Sequence, residues 1–120
     1  MKPKIEKTEF GCIRVEGKTY DYDLLIRLDG SLHKRKKKLS KELYGTSHIL
    51  SLTEAEFVYE AGTQRLIFGS GQYGYCKLSP EAEAYLNEKN VTVALLPTPE
   101  AIEEWNRSEG KVLGLFHITC

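Results

Sequence analysis

A chain of 120 residues with 41% hydrophobic and 28% charged side chains has the composition of one ordinary globular domain, which excludes a disordered or fibrous protein. No apolar stretch approaches the roughly 20 residues that cross a bilayer, and residues 1–7 lack the apolar core of a signal peptide, so no membrane insertion and a cytoplasmic location are expected. The formal charge is zero, but residues 1–41 carry +6 and residues 42–120 carry −6, a split that points to a partner or to self-association.

The first third predicts strands. Phe10 to Val15 leads through a turn at Glu16-Gly17 to a strand over Lys18 to Leu28. Asp29-Gly30 has the signature of a type I′ hairpin turn, and a further strand starts at Ser31 and runs into basic residues. This is an antiparallel meander. Residues 37–51 carry no clear periodicity, and Gly45-Thr46-Ser47-His48 reads as a loop.

From Leu52 the rhythm becomes helical. Thr53-Glu54-Ala55-Glu56 reads as a capping box, with Leu52 stapled onto Phe57 and Gly62 as a stop. Arg65 to Phe68 is a short strand, followed by the glycine-rich Gly69-Ser70-Gly71-Gln72-Tyr73-Gly74 and by Tyr75 to Leu78. Ser79-Pro80 opens a second helix with an apolar stripe of Ala82, Tyr85 and Leu86. Val91 to Leu96 is a strand, and Thr98-Pro99 opens a third helix with Ala101, Ile102 and Trp105 facing inward. Residues 112–120 are apolar on both faces of an extended strand, so that strand belongs in the middle of a layered domain.

Strands alternating with helices in the second half require a sheet with helix crossovers. The fold expected is a single α/β domain over residues 1–120, three-layered, with a mixed β-sheet and an N-terminal antiparallel hairpin or meander layer. Residues 1–38 form the meander portion and residues 52–120 the α/β portion.

Candidate sites are few. Gly69 to Gly74 matches G-x-G-x-x-G, but the helix does not follow directly, and the next strand ends in Leu95-Leu96-Pro97 with no acidic residue to hold a ribose. A glycine-rich turn at a strand end is the simpler reading. A crevice lined by Gly69, Ser70 and Gly71, beside Thr98 and His117, could still hold an anion on backbone N–H groups. The run His33-Lys34-Arg35-Lys36-Lys37-Lys38 follows a strand, where lysines protect a sheet edge. Lys34, Arg35, Lys36, Lys37 and Lys38 are therefore expected as a solvated edge and a candidate surface for an acidic protein partner, or for nucleic acid, although no aromatic residues interleave them.

His117 and Cys120 stand three apart, and in a strand such positions point to opposite faces. A buried, hydrogen-bonded histidine is expected rather than a metal ligand. Three cysteines without close spacing predict free thiols, with Cys12 and Cys76 as small core residues. No carboxylate pair stands out as acid and base, so no catalytic residue, metal or cofactor is expected.

Gly110 to Cys120, Ile67-Phe68-Gly69-Ser70-Gly71, Leu78-Ser79-Pro80 and Thr98-Pro99-Glu100-Ala101 with Trp105-Asn106 together resemble, in order and spacing, a family of small domains. That family includes a methanobacterial structural-genomics domain of unknown function, the animal adipogenesis-associated protein and the mitochondrial respiratory complex I assembly factor three. The resemblance spans most of the chain and weakens over residues 31–50. It implies a three-layer fold with a mixed central sheet and no established enzymatic activity. It implies assembly or partner binding. The run Lys34 to Lys38 departs from the family's hairpin, which often carries a tryptophan-type aromatic, so partner surfaces are not carried over. The function expected is a non-enzymatic protein-binding or assembly domain. The alternatives are a small-molecule or anion binder, or weak enzyme, at the Gly69–Gly71 crevice, and a nucleic-acid binder through Lys34–Lys38.

Overall fold

Five short strands open the chain, and they belong to two different sheets. β1 (Ile5–Glu9), β2 (Cys12–Val15) and β3 (Lys18–Tyr20) make a three-stranded antiparallel sheet. β1 eluded the sequence reading because Ile5 is its one buried position among charged neighbours. The long strand expected over Lys18 to Leu28 breaks at Asp21–Asp23, and β4 (Leu24–Ile26) crosses to the other sheet, where β5 (Leu32–Lys34) pairs with it. The Asp29-Gly30 turn also differs from type I′. Only Gly30 has positive φ, at 86°, and its N–H bonds Arg27, which makes Leu28–Gly30 a three-residue loop closed by a glycine bulge. The computed structural model describes residues 2–120.

The unreadable stretch holds a short helix, α1 (Lys38–Tyr44), ended by Gly45, and the two-residue strand β6 (Ile49–Leu50). α2 (Leu52–Val58) is capped by Ser51, whose hydroxyl accepts the Glu54 N–H. The cap thus lies two residues before the expected Thr53, Leu52 sits inside the helix instead of stapling it, and the Glu54 carboxylate is free for another use. β7 (Arg65–Ser70), β8 (Lys77–Leu78), α3 (Pro80–Glu88), β9 (Thr92–Leu96), α4 (Thr98–Arg107) and β10 (Val112–His117) complete the chain. Ser79 caps α3 as expected, its hydroxyl accepting the Ala82 N–H. In α4 the capping position falls on Pro97, so the Thr98 side chain is not a cap and points into the sheet.

The central sheet has the order β5-β4-β10-β7-β9. β10 runs parallel to β7 and antiparallel to β4, and β9 runs parallel to β7. All six β10 residues are buried because both faces are covered. One face packs under α4 and the meander through Ile5, Ile13, Ile67, Trp105 and Phe116. The other packs under α2 and α3 through Ala55, Val58, Phe68, Leu86 and Leu115. The three layers expected from periodicity are present, and the mixed sheet is the expected one. At Gly114 the indole crosses the strand so closely that an added methyl would stand 2.9 Å from Trp105 Cζ3.

Candidate functional site

The carboxyl ends of the parallel strands β7 and β10 lie side by side, where open α/β sheets place their ligands. On the α2/α3 side of that end sits a buried cluster of charges. Arg35 is 4% exposed, Asp23 4% and Glu54 0%. Arg35 follows β5, where the chain turns inward, and its backbone N–H bonds the Asp23 carbonyl at 2.9 Å. Its guanidinium forks onto Glu54 through Nε (2.6 Å) and Nη2 (3.0 Å), reaches Asp23 through Nη1 (3.0 Å), and donates to the Ser47 carbonyl. Glu54 also accepts the Ser40 hydroxyl, and Ser40 accepts the Ser51 N–H.

This geometry corrects the reading of the basic run. Lys34, Lys36, Lys37 and Lys38 are exposed, but Arg35 is interior and cannot form part of a partner surface. Sequence reasoning missed Asp23, Glu54, Ser40 and Ser51 as its partners. The available signals were an aspartate abutting Leu24-Leu25-Ile26 and a glutamate on the buried face of an amphipathic helix.

From Asp23 the network continues to His117. Its Nδ1 lies 2.7 Å from Asp23 Oδ2, and Asp23 Oδ1 accepts the Ile118 N–H at 3.0 Å. His117 Nε2 lies 3.0 Å from the Thr119 hydroxyl. A carboxylate can only accept, so Nδ1 carries the proton toward Asp23. Burial works to raise the Asp23 carboxyl, but the hydrogen bonds from His117 and Ile118 and the charge of Arg35 outweigh it and hold the group below the ordinary carboxylate value. Arg35 is raised above its ordinary value: burial opposes the charge, and the Glu54 and Asp23 carboxylates overcome that. Burial, partly offset by Arg35, pushes the nearby Cys76 thiol up to about 12, which makes it packing material. Among the described residues no buried side-chain nitrogen or oxygen lacks a partner, and no cluster of three histidine, cysteine or acidic side chains could hold a metal.

The sign of the Asp23 effect sets an acid limit. Its contribution to stability is complete above the unfolded carboxylate value of 3.8 and fades as the pH falls toward the lower folded value. The urea midpoint of the wild type should therefore drop more between pH 6 and pH 2.5 than that of Asp23→Asn. Equal drops would remove Asp23 from the acid response.

A hydroxyl, an imidazole and a carboxylate in line are the groups of nucleophilic catalysis. The carboxylate is shared with Arg35, and the groove between α3 and β9 is lined by residues of those elements and their flanks, with none from this array. What the array does is hold the segment after β10 in place. That segment in turn holds the glycine-rich loop: Gln72 N–H donates to the Thr119 carbonyl (2.7 Å) and Tyr75 N–H to the Cys120 carbonyl (3.1 Å). Gly71 N–H donates to Thr98 Oγ1, and Thr98 in turn donates to the His117 carbonyl. Gly74 and Cys76 N–H donate to the carbonyls of Gly71 and Ser70.

The crevice expected around Gly69, Ser70, Gly71, Thr98 and His117 is thus filled by the chain itself. The structure does bring those five residues together, but as a clamp whose N–H groups are already used. A methyl at Gly69 would meet Thr98 Oγ1 at 2.8 Å, and one at Gly71 would collide with the Cys120 carbonyl.

The outer surface of this clamped end is aromatic. Phe10, at the β1–β2 turn, is 58% exposed, and Tyr73 and Tyr75, on the glycine-rich loop, are each 65% exposed. Their rings form a row, with centroids 6.1 Å apart from Phe10 to Tyr73 and 6.1 Å from Tyr73 to Tyr75. Gln72 Nε2 ties the loop to Thr8 of β1, and Gly11 N–H ties the β1–β2 turn to the Ile118 carbonyl. The row therefore rests on a fixed backbone. Sequence reading could not find it, because Phe10 and the two tyrosines lie in distant parts of the chain.

A family model described as a protein of unknown function (DUF498/DUF598) matches residues 5–117. Among solved structures, the chain is similar to a conserved hypothetical protein, PH1505, from Pyrococcus horikoshii OT3, with 34% identity, 98% of this chain and 99% of that chain covered, and a TM-score of 0.87. It is similar to MT938 at 30% identity, with 98% and 99% covered and a TM-score of 0.82. At 16% identity, an Mth938-like domain from Bordetella pertussis shares the fold, with 97% and 85% covered and a TM-score of 0.65.

Proposed function

The chain belongs to the DUF498/DUF598 family, and we propose that it acts there as a non-enzymatic protein-binding domain of the assembly-factor kind, engaging a protein partner through Phe10, Tyr73 and Tyr75. The observation that carries this reading is the exposed aromatic row on a pinned loop. Tyrosine and phenylalanine offer large contact area at small entropic cost, and rings already ordered lose little freedom on docking. Contiguous exposed apolar surface on a small domain marks an interaction site. The resemblance read from the sequence implies assembly or partner binding, in line with this reading.

Lys34, Lys36, Lys37 and Lys38 remain a second, electrostatic surface, suited to speeding the approach of an acidic partner rather than to holding it. Among the described residues no helix is long and apolar enough to cross a membrane. The three free cysteines suit a reducing compartment such as the cytosol.

Affinity purification with the full chain tests the reading. The wild type should retain a partner in stoichiometric amount, and Tyr73→Ser/Tyr75→Ser should weaken that complex by at least about tenfold, the scale of two interface anchors, with an unchanged melting temperature. A partner held equally by both proteins, or none held by the wild type, would overturn it.

A further inference from the structure

We infer a second, separate binding site: the outer edge of β9, together with the groove beside α3, takes up an extended protein segment as a sixth strand of the central sheet, with apolar residues and a lysine or arginine on the face that enters the groove. This goes beyond the aromatic row and does not depend on it.

Three observations carry the inference. The first is the backbone. β9 is the last strand in the sheet order, so one side of it is unpaired. Thr92 N–H bonds the Gln64 carbonyl toward β7, so the two-residue alternation turns Ala94 and Leu96 N–H the same way and leaves Val93 and Leu95 N–H facing outward. Outward N–H and C=O groups select for another extended strand above any other occupant.

The second is the absence of edge protection. Natural edges are blunted with lysine, proline, bulges or very short strands. The opposite edge of this sheet follows that rule: β5 has three residues and runs into Lys34, Lys36, Lys37 and Lys38. β9 reads Thr-Val-Ala-Leu-Leu, without charge or proline, and pairs regularly with β7 over all five residues. Leu95 is 41% exposed. An edge left open in this way, on a chain that guards its other edge, is suited to pairing.

The third is the groove. It encloses about 770 Å³ between α3 and β9 and is lined on its apolar side by Leu78, Pro80, Ala84, Val91, Val93 and Leu95. Every second side chain of an added strand would fall on this side of the sheet and into the groove. Its one charged lining residue is Glu83, with Asn87 one turn further along α3. Helix α3 also carries Glu81 in its first turn and Glu88 in its last. A basic residue on the groove face of the incoming segment meets this rim favourably. A second copy of this chain would present its own Glu83 on the same face, like charge toward like, so a different segment fits better than self-pairing.

The test is a titration of the full chain, followed by amide chemical shifts, with the synthetic heptapeptide Thr-Val-Thr-Lys-Thr-Val-Thr, whose valines and lysine share one face of a strand. Saturable shifts should concentrate at Val93, Leu95 and α3, and the same peptide with glutamate in place of lysine should bind at least tenfold more weakly. Leu95→Pro removes one outward N–H without touching the ladder to β7, and it should abolish binding, whereas Leu95→Ala should weaken it only severalfold. Glu83→Lys, on the exposed side of a helix, should reverse the preference between the two peptides, and it keeps the test decisive if Leu95→Pro does not fold. Absent shifts at β9, equal binding by Leu95→Pro or an unchanged charge preference in Glu83→Lys would overturn the inference. A wild-type dimer dissociated by Leu95→Ala would overturn it too, by assigning the edge to a second copy. Loss of peptide binding leaves the tyrosine experiment unaffected, so the two readings fail separately.

Discussion

Arg35→Met should destabilise the protein by about 3–5 kcal/mol, the scale seen when one partner of a buried charge cluster is removed and the others stay behind. The residue is 4% exposed and, among the described residues, is the one cation hydrogen-bonded to both Asp23 and Glu54. Without it two carboxylates remain in the interior with serine hydroxyls and His117 as company, and each must protonate or draw in water. Lys37→Met, two positions along the same basic run, should change stability by no more than about 0.5 kcal/mol, because that side chain is exposed. Urea denaturation at neutral pH distinguishes the two. If both variants lose the same small amount, the guanidinium is not interior. A further variant sharpens the result: Asp23→Asn/Arg35→Met/Glu54→Gln removes all three charges together and should recover a large part of the loss, since the cost lies in leaving charges unpaired rather than in lacking them.

Gly71→Ala should cost about 2–4 kcal/mol, combining the strain of a left-handed residue with the displacement of packed backbone. Gly71 has φ of 104°, and an added methyl would collide with the Cys120 carbonyl. Gly74→Ala is the comparator. Its φ is 73°, but the closest atom its methyl would meet is Pro97 Cγ at 3.4 Å, an ordinary contact, so it should lose about 1 kcal/mol from backbone strain alone. The larger loss at position 71 has a local signature. Pushing the final residues away breaks the Gln72 and Tyr75 hydrogen bonds to Thr119 and Cys120, so those two amides should exchange with solvent much faster in the variant. Partner binding should weaken with them, since Tyr73 and Tyr75 ride on that loop. A Gly71→Ala protein with wild-type exchange at Gln72 and Tyr75 would show that the clamp does not fix the aromatic row.

The buried cluster and the exposed row form one mechanical chain. Arg35 bridges Asp23 and Glu54; Asp23 orients His117 and grips the Ile118 N–H; the residues that follow hold the loop, and the loop displays the rings. Function in this reading is positional. The polar interior, stable at neutral pH, keeps a small apolar surface in one conformation.

The layers of the domain were legible in one dimension. The apolar alternation of residues 112–118 on both faces required a central strand, the 3.6-residue stripe of Ala101, Ile102 and Trp105 required a helix on one face of it, and Ser79-Pro80 marked where another begins. These signals are local, since each is a period or a cap that spans a few residues and obeys the geometry of one element. Folding in three dimensions settled the rest: which cation of a basic run turns inward, that Thr98 clamps two strands instead of capping a helix, that β9 is an edge, and that Phe10 stands beside Tyr73. Each depends on what a distant segment brings to the same point: Glu54 to Arg35, His117 to Thr98, Tyr73 to Phe10. A one-dimensional pattern records which face a side chain prefers, but not what waits on that face.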